Sequence, residues 1–547
     1  MAILPLHVIL LAAVATHSAS APSRPDSAHV PLYTDLGDYH FATSTRVPMA
    51  QRYFDQGIRL LYGFNHGEAI RAFDEAARLD PACAICHWGA ALAYGPHVNA
   101  PMDSAAGVAA WAELQQAVAL APKATVRERA FIGALRARYS AVPPNDRAGL
   151  DSAYATAMGA IAARYPRDLD AATLYAESLM DLSPWNYWTR DGKPRPQTSV
   201  IVAQLEQVIR TNPRHPGACH YYIHAVEAAD PKKAVACAER LAAEMPGAGH
   251  MVHMPAHIYI RVGRYADAID ANIHAVHVDE SFIAAERPSG MYPMGYYPHN
   301  IHFLAFAAAL AGRSEMAIDA ARTLSGKVNP DLARAVPKFQ GLIAYYPLML
   351  VKFGRWDDVL AAPPPPAEMR MATLLDDYAR GVAFAAKGSW SEAGAMLDSV
   401  RAISTSAPRP SAEAMASSYD EDGMVMSIAE HSLAGEIAQR QRNFDEAIAQ
   451  FRAAAKIEDA FNYDEPPQWY LPVRHALGAA LLEAKRPEEA EAAYREDLKR
   501  FPENGWALHG LEAALVARGE HAEARAVDAR LRRAWTEADY ALAPLRP

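Results

Sequence analysis

A spacing of 34 residues constrains this chain more than any other feature. Starting at Ala50, "AQRYFDQGIRLLYGFNHGEAIRAFDEAARLDPAC" places Gly57, Ala69, Phe73, Ala76 and Pro81 at positions 8, 20, 24, 27 and 32. The same frame fits 428–461, with Gly435, Ala447, Phe451 and Ala454, and 471–504, with Gly478, Ala490, Tyr494 and Pro502. Small residues at these places let the two helices of a hairpin approach closely. An aromatic ring fills the space toward the next hairpin, and the proline stops the second helix. One such hairpin cannot bury its own apolar face, so copies must stack.

These are the packing positions of the tetratricopeptide repeat (TPR), and the fold expected is an all-α solenoid. Weaker copies fit 169–213, 215–248, 249–282, 298–331, 340–362, 372–405 and 505–538, giving about a dozen TPR-like hairpins in a superhelix. Abundant alanine and scarce β-branched runs favour helix throughout. At 547 residues the chain exceeds a single compact core, which a repeat array accommodates. The expected organisation is a leader at 1–21, an extension at 22–47, a solenoid block at 48–361, a Pro-rich linker at 362–371, a second TPR block at 372–538 and a tail at 539–547. The insertion "SPWNYWTRDGKPRPQ" (183–197) interrupts one hairpin as a lid or a plug, and "AAERPSGMYPMGYY" (284–297) separates two others.

The leader "MAILPLHVILLAAVATHSASA" has an apolar stretch too short for a membrane span, followed by the small-x-small pattern Ala19-Ser20-Ala21. It lacks a Lys or Arg before the apolar stretch, and Pro22 follows the cut. Export to the periplasm or outside the cell is the expectation. A formal net charge of −10 with no Lys/Arg run argues against nucleic acid and anionic membranes as partners. No later stretch is long enough to span a membrane.

The stretches "YFDQGIRLLYGFNHGEAIRAFDEAARLDPACAIC", "HYYIHAVEA", "GHMVHMPAHIYIRVGRYADA", "YYPHNIHFLAFAAA" and "YDEPPQWYLPVRHALGAALL" resemble a bacterial family of exported-looking TPR proteins with a His-rich central segment. The resemblance covers nearly the whole chain after residue 48. It implies the solenoid fold and assigns no activity.

Of 21 histidines, seven fall in three consecutive hairpins. TPR arrays, by resemblance, turn positions 2, 5, 6, 9, 12 and 13 of each first helix toward the concave groove. With Ala268 at position 20, His250, His253 and His257 take positions 2, 5 and 9; with Ala317 there, His299 and His302 take 2 and 5. With Ala234 there, His220 takes 6 and His224 takes 10. His220/His224 and His253/His257 are each four apart, so each pair can clasp one ion, and two such helices supply the imidazoles that Zn²⁺ or Cu²⁺ prefers. Glu177 and Asp181, at positions 9 and 13 of the hairpin before, are candidates for ligands or for acceptors that orient an imidazole. Met251, Met254, Met291 and Met294 beside the histidines lean toward copper, while solenoid packing explains each methionine singly. A polar groove for a peptide or small molecule, or plainly structural histidines, stay open as alternatives.

"CAICH" (83–87) matches the pattern for covalent c-type haem attachment through Cys83 and Cys86 with His87 as axial ligand. A hairpin junction offers little room for a haem, so a local disulfide, a metal pair or packing thiols compete with it. Cys219 and Cys237 are a second potential pair. Gly-rich phosphate loops, G-x-S-x-G and H-E-x-x-H are absent. Two functions follow: a scaffold that binds an unidentified protein or peptide in its groove around a His-lined metal site, or a copper- or zinc-dependent oxidoreductase or hydrolase using that site. The sequence leaves open whether the protein is an enzyme.

Overall fold

A computed structural model describes residues 30–406 and 421–543. The leader expected at 1–21, the start of the 22–47 extension and the end of the 539–547 tail lie outside the described residues. Among the described residues the chain is helical, without strands; two isolated bridges, His97 with Ala100 and Trp188 with Pro194, are the β-type pairings recorded there. It is an all-α solenoid in which successive helices pack on one another in chain order. No described helix is long and apolar enough to cross a membrane.

The chain divides into two compact units. One runs to Ile258 and takes in Ile273–Tyr297; the other comprises Tyr259–Asn272 and the chain from Pro298 onward. The first unit begins with α1 (Pro48–Tyr62), α2 (His66–Leu79), α3 (Ala84–Ala93), α4 (Ser104–Leu120), α5 (Val126–Leu135) and α6 (Ala148–Arg164). It continues through α7 (Leu169–Met180), α8 (Thr198–Thr211), α9 (Pro216–Val226), α10 (Val235–Glu244) and α11 (Gly249–His253).

The 34-residue frame is visible as atomic packing. A Cβ placed on Gly57 would lie 2.6 Å from the Phe73 ring, and one on Gly89 would meet the same ring at 2.6 Å. One aromatic ring is thus clamped between two helix backbones that only glycine lets so close. In the second unit Gly435 and Phe451 repeat the contact at 2.7 Å, and Tyr494 is clamped between Gly478 and Gly510.

The extension is not a free arm over its described part. Phe41 is buried among Phe54, Trp88 and Phe131. Asp55 accepts from the Phe41 backbone N–H at 3.1 Å, and Arg59 donates to the Tyr39 carbonyl at 2.7 Å. The Pro-rich stretch at 362–371 lies inside the second unit and is tied down at both ends. Arg380 donates to the Ala362 carbonyl at 2.6 Å, and the Met371 N–H donates to Gln340 Oε1 at 3.0 Å.

Four segments position the histidines of the first unit. Helix α9 starts at Pro216, whose fixed φ suits a first helical residue, with His215 Nδ1 accepting from the Ala218 N–H at 3.2 Å as its cap. All eleven residues of α9 are buried, including His220 and His224. Gly249 opens α11 where a Cβ would collide with the Asp279 carboxylate, itself held by the Tyr292 hydroxyl at 2.7 Å. Pro255 then restarts the helix, so His250 and His253 precede the break and His257 follows it. The 183–197 insertion packs on α9, with Trp188 Nε1 donating to the Ala225 carbonyl at 2.7 Å.

Candidate metal centre

Five imidazoles of the first unit form a closed circuit. Ring centroids are separated by 4.9 Å from His220 to His224, 5.6 Å to His257, 4.9 Å to His253, 5.8 Å to His250 and 4.9 Å back to His220. None is more than 2% exposed, so these side chains are enclosed rather than displayed on an open groove wall.

Their nitrogens are arranged by acceptors behind them. His220 Nδ1 lies 2.6 Å from the Tyr62 carbonyl at the end of α1. A carbonyl only accepts, so that nitrogen carries the hydrogen and Nε2 presents a lone pair. His224 Nδ1 donates to Glu227 Oε1 at 3.1 Å, and His257 Nδ1 donates to Glu227 Oε2 at 2.7 Å. Burial pushes Glu227 up, but the charge interaction with His257 and the hydrogen bonds from His224 and His257 outweigh it and hold the carboxyl at about 2. An ionised carboxylate only accepts, so Nδ1 of both rings carries a hydrogen, and Nε2 of either ring in its neutral form presents a lone pair.

The Nε2 atoms of the five rings face one another. His220 Nε2 is 3.1 Å from His224 Nε2 and 3.1 Å from His250 Nε2, while His253 Nε2 is 3.0 Å from His257 Nε2. The donor atoms of His220, His224 and His250 all lie within 4.8 Å of one another. Burial, and then the neighbouring His224, push His220 well below the ordinary histidine range, which keeps its ring neutral.

Aromatic side chains roof the first three rings. Phe64 sits 4.4 Å from His220, stacks on His250 at 5.4 Å and on His224 at 6.1 Å. Its φ of 56° lies in the left-handed region, unusual for a bulky residue. Tyr296, on a π-helical turn over Tyr292–Tyr296, lies 4.7 Å from His250, and Trp185 meets His224 edge-on at 4.8 Å.

Sequence reasoning missed three residues here. His66 and His97 pair at 4.3 Å between centroids, with His97 4.5 Å from Phe64. Burial pushes His66 down to about 4 and holds His97 well below the ordinary histidine range. Glu227 is the third, and its position three residues after His224 was the signal available for it.

Glu177 lies beside a buried guanidinium. Arg138, fully enclosed, donates to Asp181 Oδ2 at 2.5 Å and approaches Glu177 Oε1 to 4.0 Å. Burial raises both carboxyls, strongly for Asp181, with the guanidinium opposing. His299 and His302 belong to the second unit, where His299 contacts Phe303 and His302 meets Tyr345 at 4.6 Å and Tyr470 at 5.1 Å.

The sulfurs of Cys83 and Cys86 are joined in a disulfide, as are those of Cys219 and Cys237. In this state neither member of the first pair is available for thioether bonds to a haem. His87 Nδ1 is instead engaged by Glu113 Oε2 at 2.7 Å.

No protein family's sequence profile matches the chain, and no curated protein sequence is similar to it. Among solved structures, the human IFIT1 dimer with m7Gppp-AAAA is similar over 90% of this chain and 91% of that one, with 14% identity and a TM-score of 0.35. Yeast Tom70 matches over 90% and 95%, with 13% identity and a TM-score of 0.25. The P58(IPK) TPR domain matches over 82% and 99%, with 14% identity and a TM-score of 0.20.

Proposed function

We propose that this chain is an exported TPR-like scaffold that holds a transition-metal ion, copper or zinc, on His220, His224 and His250. One observation carries the reading: the bare Nε2 atoms of His220 and His224 face each other at 3.1 Å. Two lone pairs at that separation repel, and the acceptors at Tyr62 and Glu227 prevent either ring from turning a hydrogen inward. A cation between them reverses the sign of the interaction. Two nitrogens each ~2.0–2.1 Å from a tetrahedral ion stand about 3.3 Å apart, close to the spacing of these rings. A shared proton would require an imidazolium, which full burial opposes.

Enclosure of the rings argues against their being a contact surface for a peptide. Any protein or peptide partner is proposed to meet the outer faces of the hairpin array instead, as helical-repeat arrays present extended surfaces. The two disulfides support an oxidising compartment, in keeping with export.

The test is elemental analysis of protein purified without a metal-affinity step. At least one equivalent of copper or zinc per chain is expected. It should fall in His220→Ala with His224→Ala while the helical circular dichroism signal persists. No retained metal after reconstitution of wild-type protein with either ion would overturn the reading.

A further inference from the structure

We propose that the first unit holds a second transition-metal ion on His253 and His257, beside the first, so that the centre is dinuclear with Glu227 as the acceptor common to both positions. The proposal rests on the metal-binding reading above and extends it to a site of its own.

The second position shares with the first a buried i,i+4 histidine pair, one ring of which is held from behind by Glu227. His257, like His224, has its Nδ1 hydrogen directed to Glu227, so that Nε2 of the neutral ring turns a lone pair away from the carboxylate. His253 brings its own Nε2 to 3.0 Å from His257 Nε2, against 3.1 Å between His220 and His224. Both pairs are i,i+4, the interval that stacks two imidazoles on one helix face. The second pair spans the Pro255 break, yet its ring separation of 4.9 Å equals that of the continuous pair on α9.

Glu227 links the two positions chemically. One oxygen serves His224 and the other His257, so a single buried carboxylate sets the tautomer of one ligand at each ion. Each imidazole gains basicity at Nε2 from the anion behind it, and both ions draw on the same negative charge. The ring circuit brings the pairs side by side, with His224 to His257 at 5.6 Å and His250 to His253 at 5.8 Å between centroids.

The test loads metal-free full-length protein with Cu²⁺, removes excess by dialysis, and counts bound copper by elemental analysis while recording electron paramagnetic resonance. Two Cu²⁺ per chain are expected, with spin coupling that reduces the integrated signal below two isolated spins. His253→Ala with His257→Ala should take the count from two to one and restore an uncoupled signal. His253→Asn with His257→Gln, closer in shape, guards against loss of fold, and the wild-type coupling needs no variant. One uncoupled Cu²⁺ in the wild type, unchanged by the double variant and lost in His220→Ala/His224→Ala, would overturn the second position and leave the first standing. No bound copper or zinc at all would overturn both.

Discussion

Glu227 Oε2 accepts from His257 Nδ1 at 2.7 Å across 30 residues of chain, while its other oxygen accepts from His224 at 3.1 Å. One carboxylate therefore decides which nitrogen two imidazoles present to the interior of the circuit. Glu227→Gln keeps the size but replaces one acceptor by an amide donor, so either His224 or His257 must lose its partner or reverse its tautomer. Metal affinity is expected to drop by about 10- to 100-fold, the usual effect of removing an acceptor behind a histidine ligand. Chelator competition at constant pH measures it. Unchanged affinity would mean that Glu227 does not orient the rings.

Phe64 combines a left-handed backbone with a ring against His220 at 4.4 Å. A non-glycine residue in that region costs about 1–2 kcal/mol, and strain of this kind persists only where surrounding contacts hold it. In metal-free protein Phe64→Ala is expected to lose about 3–5 kcal/mol, the usual cost of truncating a buried phenylalanine. Phe64→Gly loses the same ring but sheds the strain, so it should be the more stable of the two variants. Urea unfolding ranks them. Both should release metal to a chelator faster than wild type, because the roof over the three rings is gone.

What the sequence made legible follows from range. Gly57, Phe73 and the i,i+4 histidine pairs are local patterns, and each reappears as a contact between residues whose spacing predicted it. His66 and His97 carry no period: one opens α2 just after the strained Phe64, and the other sits in the tight His97–Ala100 bridge. They meet because α2 and that loop fold back on each other, which no spacing reveals. The surroundings of Glu177 were hidden for the opposite reason. Its helical position pointed inward, but Arg138 on a distant segment claims its neighbourhood, and a buried guanidinium beside two carboxyls is a tertiary event. The groove frame also assumed an open inner wall, whereas the histidines are enclosed.

The Phe73 ring, gripped between Gly57 and Gly89, gives a direct test of the repeat packing. Gly57→Ala places a methyl group 2.6 Å from the ring edge, and the second glycine backbone stops the ring from retreating. Overpacking of this kind typically costs about 1–3 kcal/mol. Gly133→Ala, within α5 and with nothing within 4 Å of the added carbon, should instead stabilise by about 0.5–1 kcal/mol through helix propensity. Thermal unfolding distinguishes the two signs, and Phe73→Leu combined with Gly57→Ala should recover part of the first loss.

Lys352 in the second unit sets a pH dependence with a defined sign. Its Nζ lies 3.1 Å from His475 Nδ1, His475 Nε2 donates to Asp497 Oδ2 at 3.1 Å, and Asn504 donates to the same carboxylate oxygen at 2.9 Å. The Trp506 ring packs 4.1 Å below the ammonium. Burial pushes Lys352 from 10.5 down to about 7, with the Asp497 charge opposing only in part. Folding therefore releases a proton between those values. Above 10.5 the amine is neutral in both states and costs nothing. As pH falls from 10.5 toward 7 the unfolded chain takes up a proton that the folded state still refuses, so stability declines across that window. Lys352→Met should flatten the profile between pH 7 and about 9.5 and match or exceed wild-type stability at the lower end, where a buried charge has been replaced by an apolar chain of similar length. Urea midpoints at three pH values measure it. Parallel profiles for wild type and variant would show that Lys352 keeps its proton throughout, and that the His475–Asp497 pair compensates its charge in full.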